Sequence, residues 1–141
     1  MNKNGPIIII EDDADDQFFL SRTFKKLNYK NEIIFFFDGQ KALDYVAQTD
    51  VLPFLILSDI NMPKLDGFTL RLKLMSDDAL KSRSVPYVFF STALSQKLVT
   101  DAYAMSAQGV FIKEHSLEEL EKTITVIMEY WGRCVSPDPL A

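Results

Sequence analysis

The sequence predicts a three-layer α/β sandwich around a mostly parallel sheet, and three observations carry that expectation. Five short apolar runs recur along the chain, at Ile7 to Ile10, Ile33 to Phe37, Phe54 to Leu57, Tyr87 to Phe90 and Val110 to Ile112. Amphipathic stretches of helical length separate them, the alternation that βαβ units produce. Two of the runs stop on carboxylates, the first at Glu11-Asp12-Asp13 and the third at Ser58-Asp59. Buried parallel strands read as continuous apolar runs, and the residues just past their carboxyl ends converge at one rim of the sheet.

Each intervening segment supports the pattern. Asp15 to Leu27 sets Phe19, Leu20, Phe24 and Leu27 at helical spacings and leaves Arg22, Lys25 and Lys26 for water. Gln40 to Ala47 follows an Asp38-Gly39 turn, and Gly67 to Met75 presents Phe68, Leu72 and Met75 on one side; both are expected as crossover helices. Gln96 to Met105 is a weaker amphipathic segment, whereas Leu117 to Tyr130 places Leu117, Leu120, Ile124, Ile127 and Met128 on one stripe with Ser116 as its N-cap. Pro137 and Pro139 predict irregular chain after Trp131. A chain of 141 residues, 48% of them hydrophobic, supports one core of ordinary size. Residues 1–141 are therefore expected as a single domain, with a core over 6–131 and an irregular tail over 132–141.

Charge and cysteine content narrow the function classes. The formal net charge is −5, and the chain has no basic stripe of the kind that neutralises phosphates, so neither nucleic-acid binding nor a DNA-binding output domain is expected. The single Cys134 cannot form an internal disulfide. The apolar run after Met1 to Pro6 is too short for a signal segment or a membrane span, which makes the cytoplasm the expected compartment.

Asp59, at the end of the third run, is the best candidate for a nucleophile toward phosphorus, the alternative being an aspartate that only tightens the following loop. Five acids fall between Glu11 and Asp16 where a helix should begin, and acids in a first turn gain about 0.3–1 kcal/mol each from the helix dipole. That role is assigned to Asp13, Asp15 and Asp16. Glu11 and Asp12, nearest the strand end, would join Asp59 in a cluster of like charge that calls for a cation. Mg²⁺ suits such a site, since it takes one or two carboxylates and leaves room for phosphate oxygens; Ca²⁺ or Mn²⁺ could substitute. Asn61 could add its backbone carbonyl. Ser91 and Thr92 after the fourth run could donate to a phosphoryl oxygen or simply cap a helix. Lys113 after the fifth run would neutralise a phosphoryl group, or else be an ordinary solvated lysine.

Taken together, these residues resemble the receiver domains of two-component response regulators, from Pro6 to about Tyr130. The acidic pair Glu11 and Asp12, the aspartate in Ser58-Asp59-Ile60-Asn61-Met62-Pro63, the hydroxyl of Ser91 and the lysine at 113 stand in the family's order. The resemblance implies a flavodoxin-like, doubly wound (βα)5 fold with sheet order 2-1-3-4-5, the topology for which a chemotaxis receiver is a standard example. It also implies that Asp59 accepts a phosphoryl group from a sensor histidine kinase or phosphotransfer protein. Mg²⁺ would be held by Asp12, Asp59 and the Asn61 carbonyl, with Glu11 acting through metal-bound water. Ser91 and Lys113 would bind the phosphoryl oxygens, and Thr92 lies beside them.

Two positions depart from the family pattern. Glu114 stands where proline usually follows the lysine, so a trans Lys113-Glu114 bond is expected, and Val110 stands where a switch aromatic would be. The stretch from Ser76 to Pro86 is similar to that of the small stand-alone receivers partnered with phytochrome-type kinases, which implies a homodimer through the fourth helix and fifth strand. The leading reading is a response regulator that signals through protein contacts and acts on no outside substrate. One alternative is a receiver-like adaptor that is never phosphorylated. Another is a Mg²⁺-dependent phosphatase of the haloacid-dehalogenase type, which needs a second aspartate as general acid where this chain has Asn61.

Overall fold

The structure, a computed structural model, describes residues 2–62, 64–76, 85–92, 94–114 and 116–136. Pro63, residues 77–84 of the long connection and the last five residues of the expected tail lie outside the described residues. The elements alternate strictly: β1 (Ile7–Ile10), α1 (Ala14–Leu27), β2 (Ile33–Phe36), α2 (Gly39–Gln48), β3 (Leu55–Ser58), α3 (Gly67–Ser76), β4 (Tyr87–Ser91), α4 (Gln96–Ala104), β5 (Gly109–Ile112) and α5 (Leu117–Arg133). All five strands are parallel and lie in the order β2-β1-β3-β4-β5, as the resemblance implied.

Successive strand residues point to opposite faces, so the four isoleucines of β1 feed two separate cores. Ile7 and Ile9 pack with Leu20 and Phe24 of α1 and with Leu120, Ile124, Ile127 and Met128 of α5. Ile8 and Ile10 pack with Ala42 and Val46 of α2, Leu70 and Leu74 of α3 and Ala102 of α4. The sheet is thus the middle of three layers. Each of these isoleucines is at most 1% exposed, and complete burial of such a side chain stabilises by roughly 1.5–3 kcal/mol as an upper bound.

Helix starts are fixed by short polar side chains at the carboxyl rim. Asp13, Asp38, Ser95 and Ser116 cap α1, α2, α4 and α5 by accepting from backbone amides, and Asp66 Oδ1 accepts from the Thr69 amide at 2.8 Å at the start of α3. Each cap contributes on the order of 0.5–2 kcal/mol and sets where the preceding loop must end.

The expected helix faces need three corrections. In α3 the buried residues are Gly67, Leu70 and Leu74, whereas Leu72 is half exposed. Apolar residues surround this helix, so periodicity could not choose a face; Gly67 chooses it. A Cβ there would sit 2.2 Å from the Asp59 carbonyl oxygen, so only glycine lets α3 approach β3, and Leu70 and Leu74 follow on the same side. In α1, Phe19 is exposed together with Phe18, and Thr23 is buried in its place, its hydroxyl donating to the Phe19 carbonyl. Leu117, in the first turn of α5, stands at the rim and is also exposed. Phe37, expected at the end of the second strand, lies beyond β2 and faces solvent.

Candidate functional site

The register of β1 against β3 pairs Ile10 with Ser58, so the next residues, Glu11 and Asp59, leave adjacent central strands together. The Asp59 amide donates to the Ile10 carbonyl at 3.0 Å, extending the ladder to the rim. The carboxylate oxygens of Glu11, Asp12 and Asp59 come within 4.8 Å of one another, a grouping able to hold a metal ion. Hard carboxylate oxygens with one exposed member are the donor set that Mg²⁺ or Mn²⁺ takes.

The three acids differ in what they have left to offer. Glu11 is buried; one oxygen accepts from the Asp13 amide at 3.0 Å and the other from the Lys113 ammonium. Asp12 is exposed. Asp59 is mostly covered: Oδ1 accepts from the Ile60 amide at 2.7 Å, and Oδ2 lies 3.5 Å from Lys113 Nζ. The Ser58 hydroxyl donates to the Asp59 carbonyl, and the Gly67 amide closes the following turn onto the Ile60 carbonyl, which fixes the backbone on both sides of Asp59.

Lys113 arrives from the opposite side of the sheet's centre. β4 pairs Ser91 with Ile112, and the Lys113 amide donates to the Ser91 carbonyl at 2.8 Å. The lysine is 4% exposed, so it is not the solvated residue that the sequence left open. Burial opposes its charge, but the hydrogen bond and charge of Glu11, followed by Asp59 and Asp16, outweigh that and raise its pKa above the ordinary lysine value. Burial pushes the Glu11 carboxyl up to about 7, against the pull of Lys113.

Asp16 corrects the sequence reading. It was expected only to complement the helix dipole, yet its Oδ2 is 3.1 Å from Lys113 Nζ. Asp13 and Asp15 keep their places at the helix start, Asp13 as the cap and Asp15 as a first-turn acid. Gln17, not anticipated, donates to the Glu11 carbonyl at 2.8 Å and steadies the loop after β1. Only the third position of the first helical turn could have pointed to Asp16, since side chains there lean back toward the preceding strand end.

Ser91 is buried at the end of β4, and Thr92 is exposed beside a small cavity of about 60 Å³ that Asp16, Lys113 and Glu114 also line. Asn61 is exposed in the loop after Asp59. All peptide bonds among the described residues are trans, including Lys113-Glu114 as expected, and Val110 packs partly buried against the core shared with α2, α3 and α4.

A parallel 2-1-3-4-5 sheet with acids past β1 and β3 and a lysine past β5 defines a receiver-type α/β protein. The chain belongs to the response regulator receiver domain family, whose model matches residues 7–125. It is 31% identical over 138 residues to a probable methanogenesis regulatory protein, FilR2, of Methanothrix harundinacea, covering 94% of this chain and 88% of that one. It is 26% identical over 135 residues to the response regulator Rcp1 of Synechocystis sp., covering 92% and 90%. Its fold superposes on the phosphorylated cyanobacterial phytochrome response regulator RcpA with a TM-score of 0.84 at 26% identity, over 94% of this chain and 98% of that one. The Mn²⁺-bound form of Rcp1 superposes with a TM-score of 0.80 at 25% identity, over 94% and 98%. Among the described residues, no helix is long and apolar enough to cross a membrane.

Proposed function

We propose that the chain works as a response regulator that accepts a phosphoryl group on Asp59 from the phosphohistidine of a sensor kinase or phosphotransfer protein. The observation that carries this reading is the Lys113 ammonium held 3.5 Å from Asp59 Oδ2, beside three carboxylates gathered within 4.8 Å. An Asp59 oxygen attacks phosphorus, the P–N bond to the donor imidazole breaks, and its electron pair leaves with the imidazole. A bound Mg²⁺ would screen the charge between the carboxylates and the incoming phosphoryl oxygens. Asp12, Asp59 and the Asn61 carbonyl would hold it. Glu11, with both oxygens already accepting, would contribute through water. Lys113 neutralises the phosphoryl group, and Ser91 and Thr92 supply hydroxyls to its oxygens at the end of β4. The new charge then biases the surrounding loops.

The solved relative described as a phosphorylated cyanobacterial phytochrome response regulator supports a histidine kinase as the partner. Binding to Mn²⁺ in Rcp1 supports a divalent ion at the acids. Readout through protein contacts suits an acidic chain, and exposed Tyr103, Ile112, Val126 and Tyr130 around the β5 edge support a homodimer through α4 and β5. A phosphatase of the dehalogenase type is disfavoured, because the Asn61 amide cannot serve as its general acid.

The test is intact mass after incubation with acetyl phosphate and Mg²⁺, with light scattering on the same samples. Wild type gains one phosphoryl group, Asp59→Asn gains none, and the dimer fraction rises with phosphorylation. No gain in wild type would favour the unphosphorylated adaptor, and an unchanged monomer would remove the dimer.

A further inference from the structure

We propose that Asp16 is a positioning residue for Lys113, a carboxylate on α1 that holds the ammonium away from Asp59 and so restrains phosphoryl transfer. The proposal rests on the reading of Asp59 as phosphoacceptor. An ammonium has three hydrogens to donate, and here three carboxylates from three elements surround it. Glu11 and Asp16 take the close contacts, Asp16 at 3.1 Å, while Asp59 at 3.5 Å lies beyond ordinary N–H···O distance. Glu11 and Asp16 therefore engage two of the three hydrogens, and the pull of Asp16 keeps the ammonium short of bonding distance to Asp59.

The two close partners are not equivalent. The Glu11 side chain is 3% exposed and directly follows β1, so its contact is built into the rim of the sheet. The Asp16 side chain is 30% exposed and comes from the first turn of α1, so its attraction is partly screened by water and salt. Asp16 also adds a fourth negative charge to a site that must admit an anionic donor. Loss of that charge should free one hydrogen of Lys113 and lower the repulsion together.

The experiment compares wild type, Asp16→Asn, Asp16→Glu and Asp15→Asn. Asp15 is a neighbouring exposed acid, so its substitution removes the same charge without touching the lysine contact. Two readouts are taken: the second-order rate constant for phosphorylation by acetyl phosphate at low and high salt with Mg²⁺, and the Lys113 Nζ resonance in metal-free protein. Asp16→Asn is expected to raise the rate constant about three- to tenfold at low salt, with the gain shrinking at high salt. Asp16→Glu and Asp15→Asn should stay within about twofold of wild type. The Lys113 resonance should move in Asp16→Asn and not in Asp15→Asn. Equal rate changes in Asp16→Asn and Asp15→Asn would reduce the effect to net charge and overturn the proposal, as would an unmoved Lys113 resonance. If wild type takes no phosphoryl group, the phosphoacceptor reading fails and Asp16 loses its role in transfer, while the resonance still reports whether it positions the lysine.

Discussion

Two lysine–carboxylate contacts stand at the same rim of the sheet and differ in nearly everything that decides their worth. Lys113 is 4% exposed and faces Glu11, Asp16 and Asp59; Lys64 has a side chain 68% exposed and, among the described residues, pairs only with Asp38 at 3.7 Å. An exposed pair gains little because water screens it and the side chains lose freedom. A buried pair is expensive to desolvate, and breaking it leaves an uncompensated charge. A buried ammonium held at that cost marks Lys113, rather than Lys64, as the candidate functional lysine.

The largest break in that contrast is Lys113→Met. It should cost about 3–5 kcal/mol at pH 8 by urea unfolding, since Glu11 is left buried without its cation. The loss should shrink at pH 5.5, where Glu11 takes a proton, and the Glu11→Gln, Lys113→Met pair should recover most of it. Full destabilisation in the pair would mean that packing, not charge, is at stake.

A smaller effect concerns pH alone. The folded pKa of Glu11, about 7, lies above its unfolded value of 4.5, so the folded state holds the extra proton in between. The resulting stability is present in full below pH 4.5 and is lost as pH rises through 7. Metal-free wild type should therefore melt at progressively lower temperature across that window, and Glu11→Gln should flatten the profile. Added Mg²⁺ should reverse the slope, because the metal binds the deprotonated acids. Parallel profiles in wild type and variant would place the titration elsewhere.

The smallest effect is expected at the exposed pair. Lys64→Ala should change stability by under about 1 kcal/mol. Lys64 has φ 65°, and since both variants lose the Asp38 contact while only glycine relieves the left-handed strain, Lys64→Gly should be no less stable than Lys64→Ala. A clear deficit of the glycine variant against the alanine variant in thermal melts would show that the turn carries no such strain.

What the sequence made legible follows the same physics. The central strands β1, β3 and β4 are buried on both faces and the edge strands β2 and β5 are partly covered, yet all five write short apolar runs, so the strands and the convergence of Glu11, Asp12, Asp59 and Lys113 could be read from where those runs end. The face of α3 could not, because Leu70, Leu72 and Leu74 are equally apolar and the choice was made by a tertiary approach at Gly67. Phe19 and Leu117 were read as buried because they continue apolar stripes, but both lie beside the open rim. Asp16 was hidden for another reason. Five acids in six positions at a helix start already had a sufficient local explanation, and only the sheet order shows which of them meets the lysine.

The most direct test of the account is to find where the phosphoryl group sits. Protein phosphorylated by a phosphodonor with Mg²⁺ is reduced with borohydride, which converts an aspartyl phosphate to homoserine, and then mapped by peptide mass spectrometry. Homoserine is expected at position 59 alone, with none in Asp59→Asn. Conversion at Asp12, or at another acid of the rim, would contradict it.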